Sequence, residues 1–99
     1  MQDEPLMVQA LTVPADHPAF AGHFPGAPIL PGVVLLDAVV QRAPGALAGV
    51  HQIASAKFFS PIAPGESLLI AYAHTAAGLR WDIACGARKV ASGTLVLVT

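Results

Sequence analysis

Hydrophobic positions along this chain fall into runs separated by prolines, glycines and short polar segments. Leu6 to Val13 is short and strand-like. The stretch from Pro14 to Gly32 carries Pro14, Pro18, Pro25, Pro28 and Pro31, with Gly22, Gly26 and Gly32. Proline lacks an N–H and biases its predecessor to extended geometry, so this stretch predicts a long, stiff, irregular loop. Loops of that length inside a compact domain usually carry function.

Gly32 to Ala43 is apolar on nearly every face. Pattern alone fits a buried strand or a buried helix. Its valines favour a strand. Its length, with Pro31-Gly32 in front and Pro44-Gly45 behind, favours a helix of about three turns. A helix apolar all round predicts wrapping by other elements. The remaining runs read as strands: His51 to Ile62, Glu66 to Thr75, Leu79 to Ala84 and Lys89 to Thr99, the last strongly β-forming. Pro64-Gly65-Glu66 reads as a hairpin connection, Ala76-Ala77-Gly78 and Cys85 to Arg88 as turns. One buried helix against one antiparallel sheet is an α+β domain.

Composition sharpens this picture. Ninety-nine residues predict a single domain over residues 1–99. With 55% hydrophobic and 11% charged residues, the chain has more apolar side chain than so small a domain hides. Part of the core is therefore expected to be subunit interface in a permanent oligomer, a homodimer or higher. The same numbers exclude disorder. A net charge of −1 gives no footing for nucleic acid. No apolar stretch approaches the ~20 residues of a membrane span. Met1 to Pro5, with two acids and no basic residue, does not read as a signal peptide. The single Cys85 forms no internal disulfide, suits a reducing cytoplasm and reads as a small buried apolar residue. His17, His51 and His74 have no metal-ligand spacing with one another or with Cys85, so they read as structural or surface residues, and no metal or cofactor is expected. Tyr72 and Trp81 read as sheet and interface residues.

Two polar residues stand in the most apolar part of the chain: His23 in the Pro/Gly loop and Asp37, the only acid in the predicted helix. An acid on a buried helix is costly unless paired or protonated. One reading of Asp37 is structural, a hydrogen bond with Gln41 one turn on. The other pairs it with His23 as acid and base. Gly32 heads the helix, where an N–H without an intrahelical acceptor is suited to a developing oxyanion. Gly32 equally serves if it only permits the turn.

The segment from Gly22-His23-Phe24-Pro25-Gly26 through Pro28-Ile29-Leu30-Pro31-Gly32-Val33-Val34-Leu35-Leu36-Asp37-Ala38, with Gln41, resembles the signature of the hot-dog-fold (3R)-hydroxyacyl-acyl carrier protein dehydratases. Asp37 follows His23 by fourteen residues, as in that family. Lys57-Phe58-Phe59-Ser60-Pro61-Ile62-Ala63-Pro64-Gly65-Glu66 resembles a second family block. The resemblance implies a hot-dog fold, an antiparallel sheet around a central helix. It implies that His23 removes the C2 proton of a hydroxyacyl thioester and that Asp37 helps the C3 hydroxyl leave. Gly32, with Val33, would bind the thioester carbonyl, and Gln41 would orient the acid. It further implies a site shared between two subunits, and an acyl carrier protein as partner. Arg42, Lys57, Arg80, Arg88 and Lys89 are candidates to meet an acidic carrier. The acid is Asp37, as in the dehydratase–isomerase branch, where the dehydratase-only branch has Glu.

Two rival functions follow from the same fold. A hot-dog acyl-thioesterase uses an acid near the helix to activate water, but usually lacks the His-Phe-Pro-Gly loop. A non-catalytic acyl-binding subunit has no chemical need for His23, Asp37 and Gly32 together.

Overall fold

A computed structural model describes residues 7–12, 30–43 and 50–98. Among them are five strands and one helix: β1 (Met7–Thr12), α1 (Gly32–Arg42), β2 (Val50–Phe58), β3 (Ser67–Thr75), β4 (Gly78–Cys85) and β5 (Arg88–Val98). The predicted loop through His23, and Pro44-Gly45 after the helix, lie outside the described residues. No described helix is long and apolar enough to cross a membrane.

The strands form one antiparallel sheet in the order β1-β3-β4-β5-β2. Alternation along β3 and β4 sends Leu68, Ile70 and Tyr72, then Leu79, Trp81 and Ile83, to one face, where all are buried. Leu35 and Val39 of α1 close the core from the other side. The helix is fastened at its C-terminal end. The Ala43 N–H bonds Val40 O rather than Val39 O, a tightened last turn. The buried Tyr72 hydroxyl donates to the Val39 carbonyl at 2.6 Å. Burial pushes that phenol's pKa up to about 12. Tyr72 and Trp81 are thus core residues, not interface residues.

Three expectations change. Pro64-Gly65 does not make a hairpin, because β2 lies beside β5 and β3 beside β1. Ala63-Pro64-Gly65-Glu66 is instead a turn inside a connection that crosses the end of the sheet. Pro64 occupies its second position and Gly65, at φ 79°, its third, where an L side chain is disfavoured. The strand from His51 ends at Phe58, since Phe59 and Ser60 donate their N–H groups to Val90 O of β5 instead. Third, α1 is buried on one face only. Val33 is 70% exposed, and Asp37 and Gln41 are exposed with it.

Strand β2 is the sheet edge next to α1, and Gln52 to Phe58 are all exposed. Ile53 and Phe58 are five residues apart and belong on opposite faces of a regular strand. An irregularity between Ile53 and Ser55 resets the alternation. Ile53 then pairs with Leu95, and Phe58 with Ala91, both buried, so both side chains stand on the core face of the sheet.

Candidate active site

The first turn of α1, the end of β2 and the connection after it enclose an open, largely apolar groove of about 520 Å³. Leu30, Gly32 and Leu35 line it from the helix side, and residues Phe58 to Ile62 from the other. The size lies within the range of small-molecule clefts. Phe58 reaches across to the helix start. A Cβ on Gly32 would lie 2.9 Å from the Phe58 ring, closer than real Cβ contacts run. Gly32 is not among the glycines with positive φ, so left-handed freedom is not what it supplies. It supplies room for the ring beside the first N–H groups of the helix, those of Gly32 and Val33, which have no intrahelical acceptor, while the Val34 N–H already turns back to Pro31 O at 3.1 Å.

On the outer side of α1, Val33, Asp37 and Gln41 recur every four residues and form one stripe. Gln41 Nε2 donates to Asp37 Oδ2 at 3.0 Å, which fixes the carboxylate along the helix. The sequence reading placed this acid on a buried helix. In the folded chain it is exposed, because no element of the described chain covers that side. Four of the predicted site residues therefore sit on one helix: Gly32 at the groove, Val33, Asp37 and Gln41 on the stripe. His23, the fifth, lies outside the described residues, as does His17.

Sequence reasoning missed Phe58 and Phe59 as groove walls. The signal was present, since adjacent large apolar residues in a strand cannot both enter one core. Phe58 is 49% exposed and Phe59 54%.

Other expectations resolve differently. Cys85 is half-buried rather than sealed in the core, and its thiol donates to Glu66 Oε2 at 3.2 Å. That hydrogen bond, then burial and the Glu66 charge, pushes the thiol's pKa up against the nearby Arg88 charge. Of the candidate carrier-binding cations, Arg80 pairs with Asp82 at 3.0 Å and Arg88 with Glu66 at 2.6 Å. Lys57 and Lys89 are exposed.

Comparison with known proteins identifies the family and the fold. The family model described as ApeI-like, ApeI dehydratase, matches residues 1–94. The 3-hydroxyacyl-acyl-carrier-protein dehydratase FabZ of Chlamydia trachomatis is 40% identical over 77 residues, covering 65% of this chain and 50% of that protein. FabZ of Rhizobium leguminosarum bv. trifolii is 36% identical over 87 residues, covering 77% of this chain and 56% of that protein. The chain thus spans about half the length of the curated relatives it matches. Among solved structures, a chain of the dehydratase heterocomplex ApeI:P from Xenorhabdus doucetiae superposes with a TM-score of 0.76 at 25% identity, each chain covered completely. An uncharacterized protein from Erwinia carotovora subsp. atroseptica superposes with a TM-score of 0.68 at 30% identity, covering 99% of this chain and 97% of that one. The antiparallel sheet and helix of the described residues form a hot-dog fold, and the chain belongs to the ApeI-like dehydratase family.

Proposed function

We propose that residues 1–99 form one dehydratase domain. It removes water from a (3R)-3-hydroxyacyl thioester carried on an acyl carrier protein and gives the trans-2-enoyl thioester. The pathway class is fatty acid biosynthesis or a related polyketide or polyene route, in the cytoplasm. One observation carries the reading. Asp37, oriented by Gln41, stands on an open helix stripe five residues past the Gly32 groove, in a chain whose sequence also holds His23 in the family spacing.

The chemistry needs three groups. Removing the proton α to a thioester needs a base, the role of His23. The enolate oxygen needs a donor, the Gly32 N–H at the start of α1, aided by the helix dipole. The C3–O bond then breaks as the C2=C3 bond forms, and Asp37 delivers the proton with which the hydroxyl leaves as water. Val33 borders this face, and the apolar groove takes the first carbons of the acyl chain. No cofactor enters any step.

The site is completed by a second copy of the chain. Support comes from the 70% exposure of Val33 beside Asp37, and from the open β2 edge with Ile53 and Phe58 on its core face. A strand edge of that kind is a template for pairing. His23 of one subunit then serves Asp37 of the other. Among the described cations Arg80 and Arg88 are engaged within the chain, which leaves the exposed Lys57 and Lys89 and the half-buried Arg42 to meet an acidic carrier.

The test is incubation with 3-hydroxyacyl thioesters of several lengths, following water loss by mass and free thiol in parallel. The proposal expects enoyl product with no thiol release. Thiol release without water loss would move the thioesterase reading ahead.

A further inference from the structure

A second cluster of polar side chains sits behind the groove wall, away from Asp37. The Glu66 carboxylate is its hub. Oε1 accepts the Ala63 N–H at 2.7 Å, and Oε2 accepts from Arg88 Nη2 at 2.6 Å and from Cys85 Sγ at 3.2 Å. Arg88 Nη2 also donates to Pro61 O at 3.4 Å. The two ends of the Pro61–Glu66 segment are thereby clasped to the start of β5. Ser60 adds to this, its hydroxyl donating to Lys89 O at 3.0 Å.

Within the clasped segment lies Ile62, 1% exposed, whose carbonyl accepts the Leu30 N–H at 3.0 Å. Leu30 is itself buried, at 4% exposure. Only Pro31 separates it from Gly32, and the Pro31 ring fixes φ, here −61°. Few soft torsions therefore lie between the Ile62 carbonyl and the Gly32 N–H. A shift of the clasped segment is passed to the helix start almost as a rigid displacement. An ion pair this exposed, with side chains 45% and 23% accessible, adds little to global stability. Its consequence is geometric.

Resting on the dehydratase reading above, we infer that Glu66 and Arg88 are positioning residues for the active site. They hold the groove wall and, through Ile62 and Leu30, set where the Gly32 N–H meets the thioester oxygen. Oxyanion donors act over 2.7–3.1 Å, and a misplacement of about 1 Å costs on the order of 100-fold in rate.

The test compares Arg88→Met with Arg88→Lys, which keeps a cationic donor. Four quantities are measured: kcat and KM for a hydroxyacyl thioester, hydrogen exchange at the Leu30 amide, and Tm. Arg88→Met is expected to lower kcat by about 10- to 100-fold with KM nearly unchanged. Leu30 exchange should quicken by about tenfold or more while Tm moves little. Arg88→Lys should retain most of the wild-type kcat and Leu30 protection. If Arg88→Met does not fold, Glu66→Gln, which keeps an acceptor for the Ala63 N–H, gives the same readouts. Unchanged Leu30 protection overturns the inference, as does faster exchange with kcat intact. A wild-type protein that dehydrates no thioester strikes the proposed reaction instead. Leu30 exchange then upholds or overturns the clasp by itself.

Discussion

The middle of the sheet and its β2 side are built from similar residues and end in opposite states. In β3 and β4, Ile70, Tyr72 and Trp81 are fully enclosed, and neighbouring strands satisfy both backbone edges. On the β2 side, Ile53 and Phe58 face the core direction yet remain 38% and 49% exposed, next to a helix stripe headed by Val33. The difference shows where the chain is complete by itself and where it is not. Apolar side chains that a strand register aims inward, but that nothing in the chain covers, mark a surface awaiting another molecule. The described candidate site residues Gly32, Val33, Asp37 and Gln41 lie on this open side, and none of those four lies in the sealed one.

Breaking each side separately tests that contrast. On the open side, Asp37→Asn keeps volume and a hydrogen-bonding partner for Gln41 but removes the transferable proton. Dehydration should fall by about 100- to 10,000-fold. Tm should hold, since exposed substitutions usually change stability within about 0.5 kcal/mol. Steady-state rates alongside calorimetry check both halves. Full activity in this variant would make Asp37 structural. On the sealed side, Trp81→Ala should destabilise the fold by roughly 3–5 kcal/mol in denaturant titration. Trp81 is packed so tightly that a Cβ on Gly93 would sit 2.5 Å from its ring. A loss below about 1 kcal/mol would contradict the assignment of this region as the closed core.

Smaller effects sharpen the contrast. Ile53→Lys places a charge on the β2 core face and should shift sedimentation toward the monomer. An unchanged sedimentation coefficient would remove β2 from the proposed contact. The smallest effect is pH-dependent. Hydrogen bonds from the Ala63 N–H and the Cys85 thiol, with Arg88, hold the Glu66 carboxyl below its ordinary value of 4.5 against the opposing cost of burial. A depressed carboxyl pKa contributes stability that is present above the ordinary value and is lost as pH falls through the depressed one. The Tm difference between wild type and Glu66→Gln should therefore be largest above pH 4.5 and close on acidification below it. A difference that grows on acidification would reverse the sign of this account.

Much of the fold was legible because local signals agreed. Pro31-Gly32 announces the start of α1, and alternation marks β3 and β4. The strand order was not, since Pro64-Gly65 is an equally good turn whether its flanking strands pair or separate. The partner of β2 is β5, the last strand of the described chain, a long-range pairing that no turn signal specifies. At the site, the Asp37–Gln41 contact was readable from spacing, because residues four apart meet on any helix. The exposure of Asp37 was not, because an all-apolar helix looks the same whether its own chain or another covers it. The groove wall at Phe58 and Phe59 and the clasp of Glu66 with Arg88 depend on tertiary contacts between distant segments. The adjacency of Phe58 and Phe59 signals that both cannot enter one core, but nothing local signals the clasp.

The central claim is that the open side is finished by a second copy which lends His23 to Asp37. Mixing two inactive variants tests it most directly. His23→Ala and Asp37→Asn are each prepared alone, then combined under conditions where native mass spectrometry shows exchange of subunits. In a mixed dimer one site carries both substitutions and the other carries neither. Random exchange should therefore restore about a quarter of wild-type dehydration, as expected for a two-fold symmetric pair. Mixed dimers that form and stay inactive, beside an active wild type, would contradict the shared site.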